Sequence, residues 1–370
     1  MMPLRNLLRE PLRKFKPYTV GKSIDDVRRE YGLIGRIAKL ASNENPLGSS
    51  PLAVVAMRRA VEDVSLYPDD SARDYRAKIA ARYAVAPENV FAASGSVEVL
   101  ELLAVAFLEP GDVVVSSEKT FAMYALAAEK AGAEFRAAPM TDGGFRYDLE
   151  AMARLLDPMV KLVFLANPTN PTGTWFTAAE FDRFIERVPA DTLVVYDSAY
   201  EEYASVGDLP DPMIHFRAGR RILLLRTLSK AYGLAGIRIG YAVGPEEIIQ
   251  GLMMVRTPFN TSLVAQAGAL AALDDVDFLR RSREHSDREL AFLREGLAGL
   301  PVTIPPSQTN FIFIDTGKKA GWLFEELQRV GIIVRPVGGR AIRVSSGLRE
   351  DNERFVEHFR RLVLQPGAEA

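Results

Sequence analysis

Between residues 90 and 243, short and nearly continuous apolar runs alternate with amphipathic stretches. The runs at 90–93, 112–116, 134–138, 160–166, 192–197, 221–226 and 237–243 predict seven strands. Helical periodicity at 97–108, 121–131, 148–156 and 178–187 fills most of the intervals. Strands without polar alternation are buried on both faces, so this pattern predicts a largely parallel sheet covered by helices on either side. The last two runs are joined by a segment too short for an ordinary crossover, and one of them is expected to run antiparallel.

The rhythm changes beyond residue 258. Helical patterns at 261–273 and 277–299 precede strands at 310–314, 332–335 and 341–344, with further helices at 320–329 and 351–363. Upstream of residue 90, 17–50 reads as loop with a short strand at 37–40, followed by helices at 51–64 and 71–84. The fold class expected is therefore α/β: a large domain over 46–258 and a smaller α+β domain over 259–370. Residues 1–45 would form an arm and part of the small domain.

Composition narrows the chemistry. The chain has 370 residues, 48% hydrophobic and 25% charged, with a formal net charge of −2. No global basic field recruits nucleic acid. There is no cysteine, which excludes disulfides, thiolate metal sites and cysteine nucleophiles. His215, His285 and His358 are scattered without metal-ligand spacing, so neither a metal site nor a Ser-His-Asp triad is expected. The basic N-terminus, Met1 to Lys16, lacks the apolar stretch of a signal peptide. No segment has the roughly 18 consecutive apolar residues of a membrane span. A soluble, cytoplasmic protein is expected.

In open α/β sheets, sites lie beyond the carboxyl ends of the strands. The first run ends in Ser94-Gly95-Ser96 at a helix start, where a glycine and free N–H groups can cradle an anion. The fourth ends in Asn167-Pro168-Thr169-Asn170-Pro171-Thr172-Gly173, the fifth in Asp197 with Tyr200 close behind, and the sixth in Thr227, Ser229 and Lys230. Arg238 follows. A lone lysine is most often a solvated loop residue. Here the strand ends together supply a cradle, an amide, a carboxylate, a phenol, hydroxyls, an amine and a guanidinium. Pyridoxal phosphate would use all of them, with the carboxylate holding its protonated pyridine nitrogen.

These stretches, together with Leu40-Ala41-Ser42-Asn43-Glu44-Asn45-Pro46-Leu47-Gly48, Tyr67-Pro68-Asp69, Lys230-Ala231-Tyr232-Gly233-Leu234-Ala235-Gly236-Ile237-Arg238 and Arg343-Val344-Ser345-Ser346-Gly347, resemble the fold type I pyridoxal-phosphate enzymes. The resemblance extends from about residue 17 to residue 360 and is strongest to the histidinol-phosphate aminotransferase branch. It implies Lys230 as the Schiff-base lysine and proton shuttle, and Asp197 on the pyridine nitrogen. Asn167 and Tyr200 would bond the ring oxygen, and Phe121 would stack on the ring. Ser96, the Val97 N–H, Ser229 and Arg238 would hold the phosphate. Tyr67 would reach the phosphate of a neighbouring subunit, which implies a homodimer. Arg343 would grip a substrate carboxylate, and Tyr18 and Arg335 match positions that contact a substrate phosphate. Asn167 would also border the substrate.

The reaction implied passes an amino group from a small-molecule donor to an oxo acid such as 2-oxoglutarate. Aromatic amino acid transamination and threonine-phosphate decarboxylation are the alternatives the scaffold leaves open. Only Pro336 to Ile342 separate Arg335 from Arg343, where the branch usually has a longer loop. Arg340 competes for either substrate role, and Arg335 in a structural salt bridge is an equal alternative.

Overall fold

The apolar runs pair into one sheet in the computed structural model, which describes residues 7–13, 15, 21–141, 143–317 and 320–365. Its strands are β1 (Val90–Ala93), β2 (Val113–Ser117), β3 (Glu134–Ala138), β4 (Val160–Ala166), β5 (Leu193–Asp197), β6 (Ile222–Thr227) and β7 (Gly240–Val243). Their spatial order is β1-β7-β6-β5-β4-β2-β3. β7 runs antiparallel to both β1 and β6, and every other pair is parallel. The expected reversal is thus the last strand. β1, β2, β5, β6 and β7 are buried throughout, while the edge strand β3 keeps Glu134 exposed. Register sets Ala166 beside Asp197 and Asp197 beside Leu225. The ends of β1, β4, β5 and β6 therefore share one edge.

Three helices and a hairpin escape the apolar pattern. Ile24–Tyr31 carries a reciprocal cap between Ser23 and Asp26 and stops at Gly32 in the left-handed region. Only Val27 of it is buried, so its apolar stripe is too thin to register. Pro212–Arg217 and Glu246–Val255 are the other two helices, and Met140–Thr141 pairs with Arg146–Tyr147. The seventh strand is shorter than its apolar run. Ala235–Ile237 makes a single 3₁₀ turn and Arg238 has φ 56°, which no strand can accommodate.

A second sheet contains β8 (Phe311–Asp315), β9 (Arg335–Val337) and β10 (Ala341–Ser345), in the order β8-β10-β9 and antiparallel. The run at 332–335 divides: Ile332–Ile333 pairs in parallel with Ala38–Lys39, and Arg335 begins β9. A smaller core with Ile312, Ile342, Val344 and Phe355 lies beneath this sheet. Helix Leu263–Ala272 lies past residue 258, yet Ala265, Ala269 and Ala272 pack into the larger core. Beyond this helix, the chain returns to the smaller core, which also holds Ala38 and Leu40, at Leu290 and Leu293 of Val276–Gly296. Among the described residues, no helix is long and apolar enough to cross a membrane.

One junction anchors the segment after β6. Asn45 Nδ2 donates to Ala231 O at 2.9 Å, Ser49 Oγ to Gly233 O at 2.7 Å, and Ser50 N to Tyr232 O at 3.2 Å. Gly233 has φ 68°, and a Cβ there would sit 1.9 Å from the Gly48 carbonyl oxygen. Gly233→Ala should cost roughly 2–4 kcal/mol in urea unfolding. Gly236→Ala, where a Cβ meets nothing within 4 Å, should change stability by less than about 1 kcal/mol.

Candidate active site

The shared strand edge and the smaller sheet face one cavity of ≈ 420 Å³. Lys230, Asp197, Tyr200, Ser96, Val97, Phe121, Ser229, Arg238, Arg335 and Arg343, all singled out from the sequence, line it.

Lys230 lies just beyond β6, after Leu228 and Ser229, so its position is tied to a fully buried strand. Its Nζ donates to Ser42 O at 2.9 Å and lies 5.9 Å from the centroid of the Tyr200 ring. The side chain is half-buried at the cavity wall. Burial lowers its pKa to about 8, and the Arg343 and Arg238 charges push the same way against Glu44 and Asp197. Asp197, 5% exposed, ends β5. Tyr124 donates to its Oδ2 at 2.7 Å, and the Ala199 N–H to Oδ1 at 3.2 Å. Burial raises the carboxyl to about 6, against the pull of these two hydrogen bonds and of the Arg226 and Lys230 charges.

An anion cradle forms beside the lysine. Gly95 has φ 80°, and a Cβ on it would come within 2.3 Å of Arg238 Nη2. Both its conformation and its closeness to the guanidinium therefore demand glycine. Ser96 and Val97 open the helix Ser96–Phe107 and present N-terminal N–H groups. Arg238 Nη1 donates to Ala235 O at 2.9 Å and to Ser229 Oγ at 3.3 Å, and the Ser229 N–H donates to Thr227 Oγ1 at 3.2 Å. Phe121 forms a cavity wall, edge-on to Tyr124 at 5.7 Å.

Asn167 departs from expectation. Its Nδ2 donates to Phe176 O at 3.1 Å and Tyr196 Oη at 2.9 Å, and its Oδ1 accepts the Phe176 N–H at 3.1 Å. The whole amide is used to pin the loop after β4, and Asn167 does not line the cavity. Asn170 does, and its Oδ1 accepts from Arg343 Nη1 at 2.6 Å. The two asparagines are equivalent in sequence, each before a proline, and only the fold of the loop separates them.

Arg335 and Arg343 oppose each other in register on β9 and β10. Arg343 Nη2 also donates to Ala41 O at 2.7 Å, and its guanidinium carbon lies 5.2 Å from the Phe311 ring centroid. Arg340 is 72% exposed in its side chain, 3.9 Å from Asp315, and outside the cavity lining. That removes it as a rival for the substrate roles. Tyr67 is 81% exposed and stacks on Phe259 at 4.5 Å, outside the cavity lining of its own chain. Tyr18 lies outside the described residues. Sequence reasoning also missed Asn43, Tyr124, Lys22 and Lys39, which line the cavity. Tyr124 stands three positions after Phe121, a spacing that would have paired them on a helix face.

The family model for aminotransferase class I and II matches residues 36–359. A histidinol-phosphate aminotransferase from Anaeromyxobacter sp. (strain Fw109-5) is 47% identical over 352 residues, covering 94% of this chain and 96% of that protein. Histidinol-phosphate aminotransferase 2 of Pseudomonas aeruginosa is 44% identical over 351 residues, 94% of this chain and 95% of its own. Among solved structures, histidinol-phosphate aminotransferase from Sinorhizobium meliloti in complex with pyridoxal-5'-phosphate superposes with a TM-score of 0.87 at 28% identity, over 96% of this chain and 98% of that one. A match across this length, on a sheet whose strand ends gather an amine, a carboxylate and an anion cradle, means that the chain belongs to the class I and II aminotransferase family.

Proposed function

We propose that the chain is a pyridoxal-phosphate-dependent histidinol-phosphate:2-oxoglutarate aminotransferase. The observation that carries the substrate assignment is the in-register pair Arg335 and Arg343 at a cavity that already holds a half-buried lysine, a buried aspartate and an anion cradle. The similarity to histidinol-phosphate aminotransferases supports the same substrate.

The residues fit the cofactor. Gly95, the first N–H groups of helix Ser96–Phe107, Ser229 and Arg238 form a concave cationic seat for its phosphate. Asp197 is a buried carboxylate suited to a pyridinium, Phe121 a wall for the ring, and Asn170 and Tyr200 are polar groups for the ring oxygen. When bound, pyridoxal phosphate supplies an aldehyde that condenses with amines and a protonated ring that withdraws electrons from the substrate Cα.

The chain's own residues do the rest. Burial beside two guanidinium groups keeps a useful fraction of Lys230 neutral near pH 7, so it is a nucleophile and a base. Freed by an incoming amine, it can remove the proton at the donor Cα and later return one to the acceptor. With its pKa raised to about 6, Asp197 is largely ionised from about pH 7 upward, as holding a pyridinium requires. Arg343, oriented by Asn170 and Ala41, presents a fork to the carboxylates of glutamate and 2-oxoglutarate. Histidinol phosphate lacks a carboxylate, and Arg335 is the group offered to its phosphate.

Two copies are proposed to share their sites. Arg238 is exposed at the cradle, and Val61, Val64, Leu66, Tyr67 and Phe259 are exposed apolar residues of a kind that a second subunit would cover. The partner subunit's Tyr67 would then close the cradle.

Three outcomes are expected. Cofactor-free protein should take up pyridoxal phosphate about tenfold faster at pH 9 than at pH 7, levelling off above pH 9 because the amine titrates near 8. An unshifted lysine would give a rate still climbing past pH 10, and Lys230→Ala should abolish the visible absorbance band. Purified enzyme offered histidinol phosphate, phenylalanine or threonine phosphate with 2-oxoglutarate should prefer the first. Arg335→Ala should raise the KM for histidinol phosphate by about 10- to 100-fold while changing that for glutamate less. Preference for phenylalanine would assign an aromatic aminotransferase instead. Finally, mixing inactive Tyr67→Ala and Lys230→Ala proteins and allowing subunits to exchange should restore about a quarter of wild-type activity, because each hybrid rebuilds one intact site. No recovery would mean that Tyr67 does not act across subunits.

A further inference from the structure

We infer that Asn43 is a positioning residue that compels the Tyr200 hydroxyl to donate its proton into the cavity, reserving that proton for the oxygen of the bound ring. The inference rests on the cofactor reading above.

Asn43 is 1% exposed and sits in the left-handed region at φ 54°. Its backbone N–H donates to Ser345 Oγ at 2.9 Å. The Ser345 hydroxyl donates in turn to Asn43 Oδ1, also at 2.9 Å. This closed pair of bonds determines which end of the amide is which. With Oδ1 committed to Ser345, Nδ2 faces Tyr200 and donates to its hydroxyl oxygen at 2.9 Å. Flipping the amide would strand the Ser345 proton among the described residues, in a site where Ser345 is 3% exposed.

Tyr200 therefore receives a hydrogen bond on its oxygen and must send its own proton elsewhere. Its neighbours leave few destinations. Among the described residues no hydrogen bond joins Tyr200 to Asp197, whose Oδ2 accepts from Tyr124 and whose Oδ1 accepts from the Ala199 N–H. Arg343 only donates, and the hydrogen bond of Lys230 Nζ goes to Ser42 O, not to Tyr200. The remaining direction is the cavity that Tyr200 lines. The relay is anchored outside the large sheet. Asn310 Nδ2 donates to Asn43 O at 3.1 Å, Ser345 N donates to Leu40 O at 2.9 Å, and Ser345 lies two residues from Arg343 on β10. The strand that presents the carboxylate-binding arginine thus also sets the donor direction of Tyr200.

Polarity and packing make opposite predictions for two substitutions. Asn43→Asp is nearly isosteric but offers Tyr200 an acceptor, which turns its proton away from the cavity. Asn43→Gly removes the side chain, tolerates the left-handed φ, and leaves Tyr200 free to point either way. The apparent Kd of cofactor-free protein for pyridoxal phosphate and the pH midpoint of the absorbance band of the loaded protein are measured, each with Tyr200 intact and in a Tyr200→Phe background. Asn43→Asp should weaken binding by about tenfold, more than Asn43→Gly does. It should move the band midpoint upward, as Tyr200→Phe does, because a ring oxygen that loses its donor holds its proton partner more tightly. In the Tyr200→Phe background both effects should fall below about twofold. Ser345→Ala, which unlocks the amide while retaining Asn43, should give a smaller shift of the same sign that also vanishes without the Tyr200 hydroxyl, and it decides the matter if Asn43→Asp does not fold. Equal effects in both backgrounds, or a harsher result for Asn43→Gly, would overturn the inference. Failure of the wild-type chain to bind pyridoxal phosphate would instead overturn the cofactor reading.

Discussion

Positive charge outnumbers negative in the cavity, and the arrangement around Lys230 follows from that imbalance. Lys230, Arg238, Arg335, Arg343, Lys22 and Lys39 line it, with Asp197 the only lining carboxylate among the described residues. Lys22 and Lys39 are neutralised at the rim by Glu30 and Glu44. The guanidinium groups of Arg343 and Arg238 also act on the amine of Lys230. Repulsion and burial both favour a neutral lysine, which is the form that attacks an aldehyde. A phosphate dianion at the cradle and a carboxylate at Arg343 would restore the balance. On the proposed reading, the charges that lower the lysine pKa would also select the ligands, and the strand ends need only hold them in place.

The sheet holds them because its central strands β5, β6 and β7 are buried throughout. A one-residue slip in a half-polar strand costs a buried charge; in strands as apolar as β5 and β6, register is set by where the polar residues begin. Asp197 and Thr227 are the last residues of these strands, and both are buried. Arg226 adds a second lock. It is buried one position before Thr227 and ion-paired with Glu201 and, at 2.5 Å, with Glu202. This ties the turn after Tyr200 to the strand that leads to Lys230. A buried arginine with two carboxylates is a poor source of net stability but a strict constraint on geometry.

Much of this was legible in the chain. Continuous apolar runs gave away the parallel strands, and the chemistry of their last residues marked Lys230, Asp197 and Arg238. What was hidden depended on direction, which residue type does not carry. Asn167 and Asn170 stand in the same Asn-Pro context, and only loop geometry sends one into the Phe176 backbone and the other to Arg343. Asn43 was visible as part of a turn-rich stretch, but its partner Ser345 is 302 residues away. Helix Leu263–Ala272 looked like the start of a new unit because the strand rhythm had stopped. Its small residues instead allow it to fit closely on Pro51–Ala60; Gly268 has room for no Cβ, which would lie 2.8 Å from Met57.

The short connection between Arg335 and Arg343 bears on substrate choice in a way that its length alone conceals. β9 and β10 pair Val337 with Ala341 and Arg335 with Arg343, leaving Gly338, Gly339 and Arg340 as the loop. Gly338, the first loop residue, has φ 58°, a left-handed conformation that glycine adopts without strain. The Gly339 and Arg340 carbonyls accept from Ala320 N at 2.9 Å and Thr316 N at 3.1 Å, which fastens the loop to the start of helix Ala320–Arg329. A hairpin this tight permits no other register, and directly opposed residues project from the same face of the sheet. Two guanidinium groups so placed repel each other unless an anion lies near both. Removing residues from this loop therefore does not weaken the case for an anionic substrate. The hairpin fixes the two guanidinium groups relative to each other, as the proposed recognition of a phosphate from one substrate and the carboxylates of the other would require.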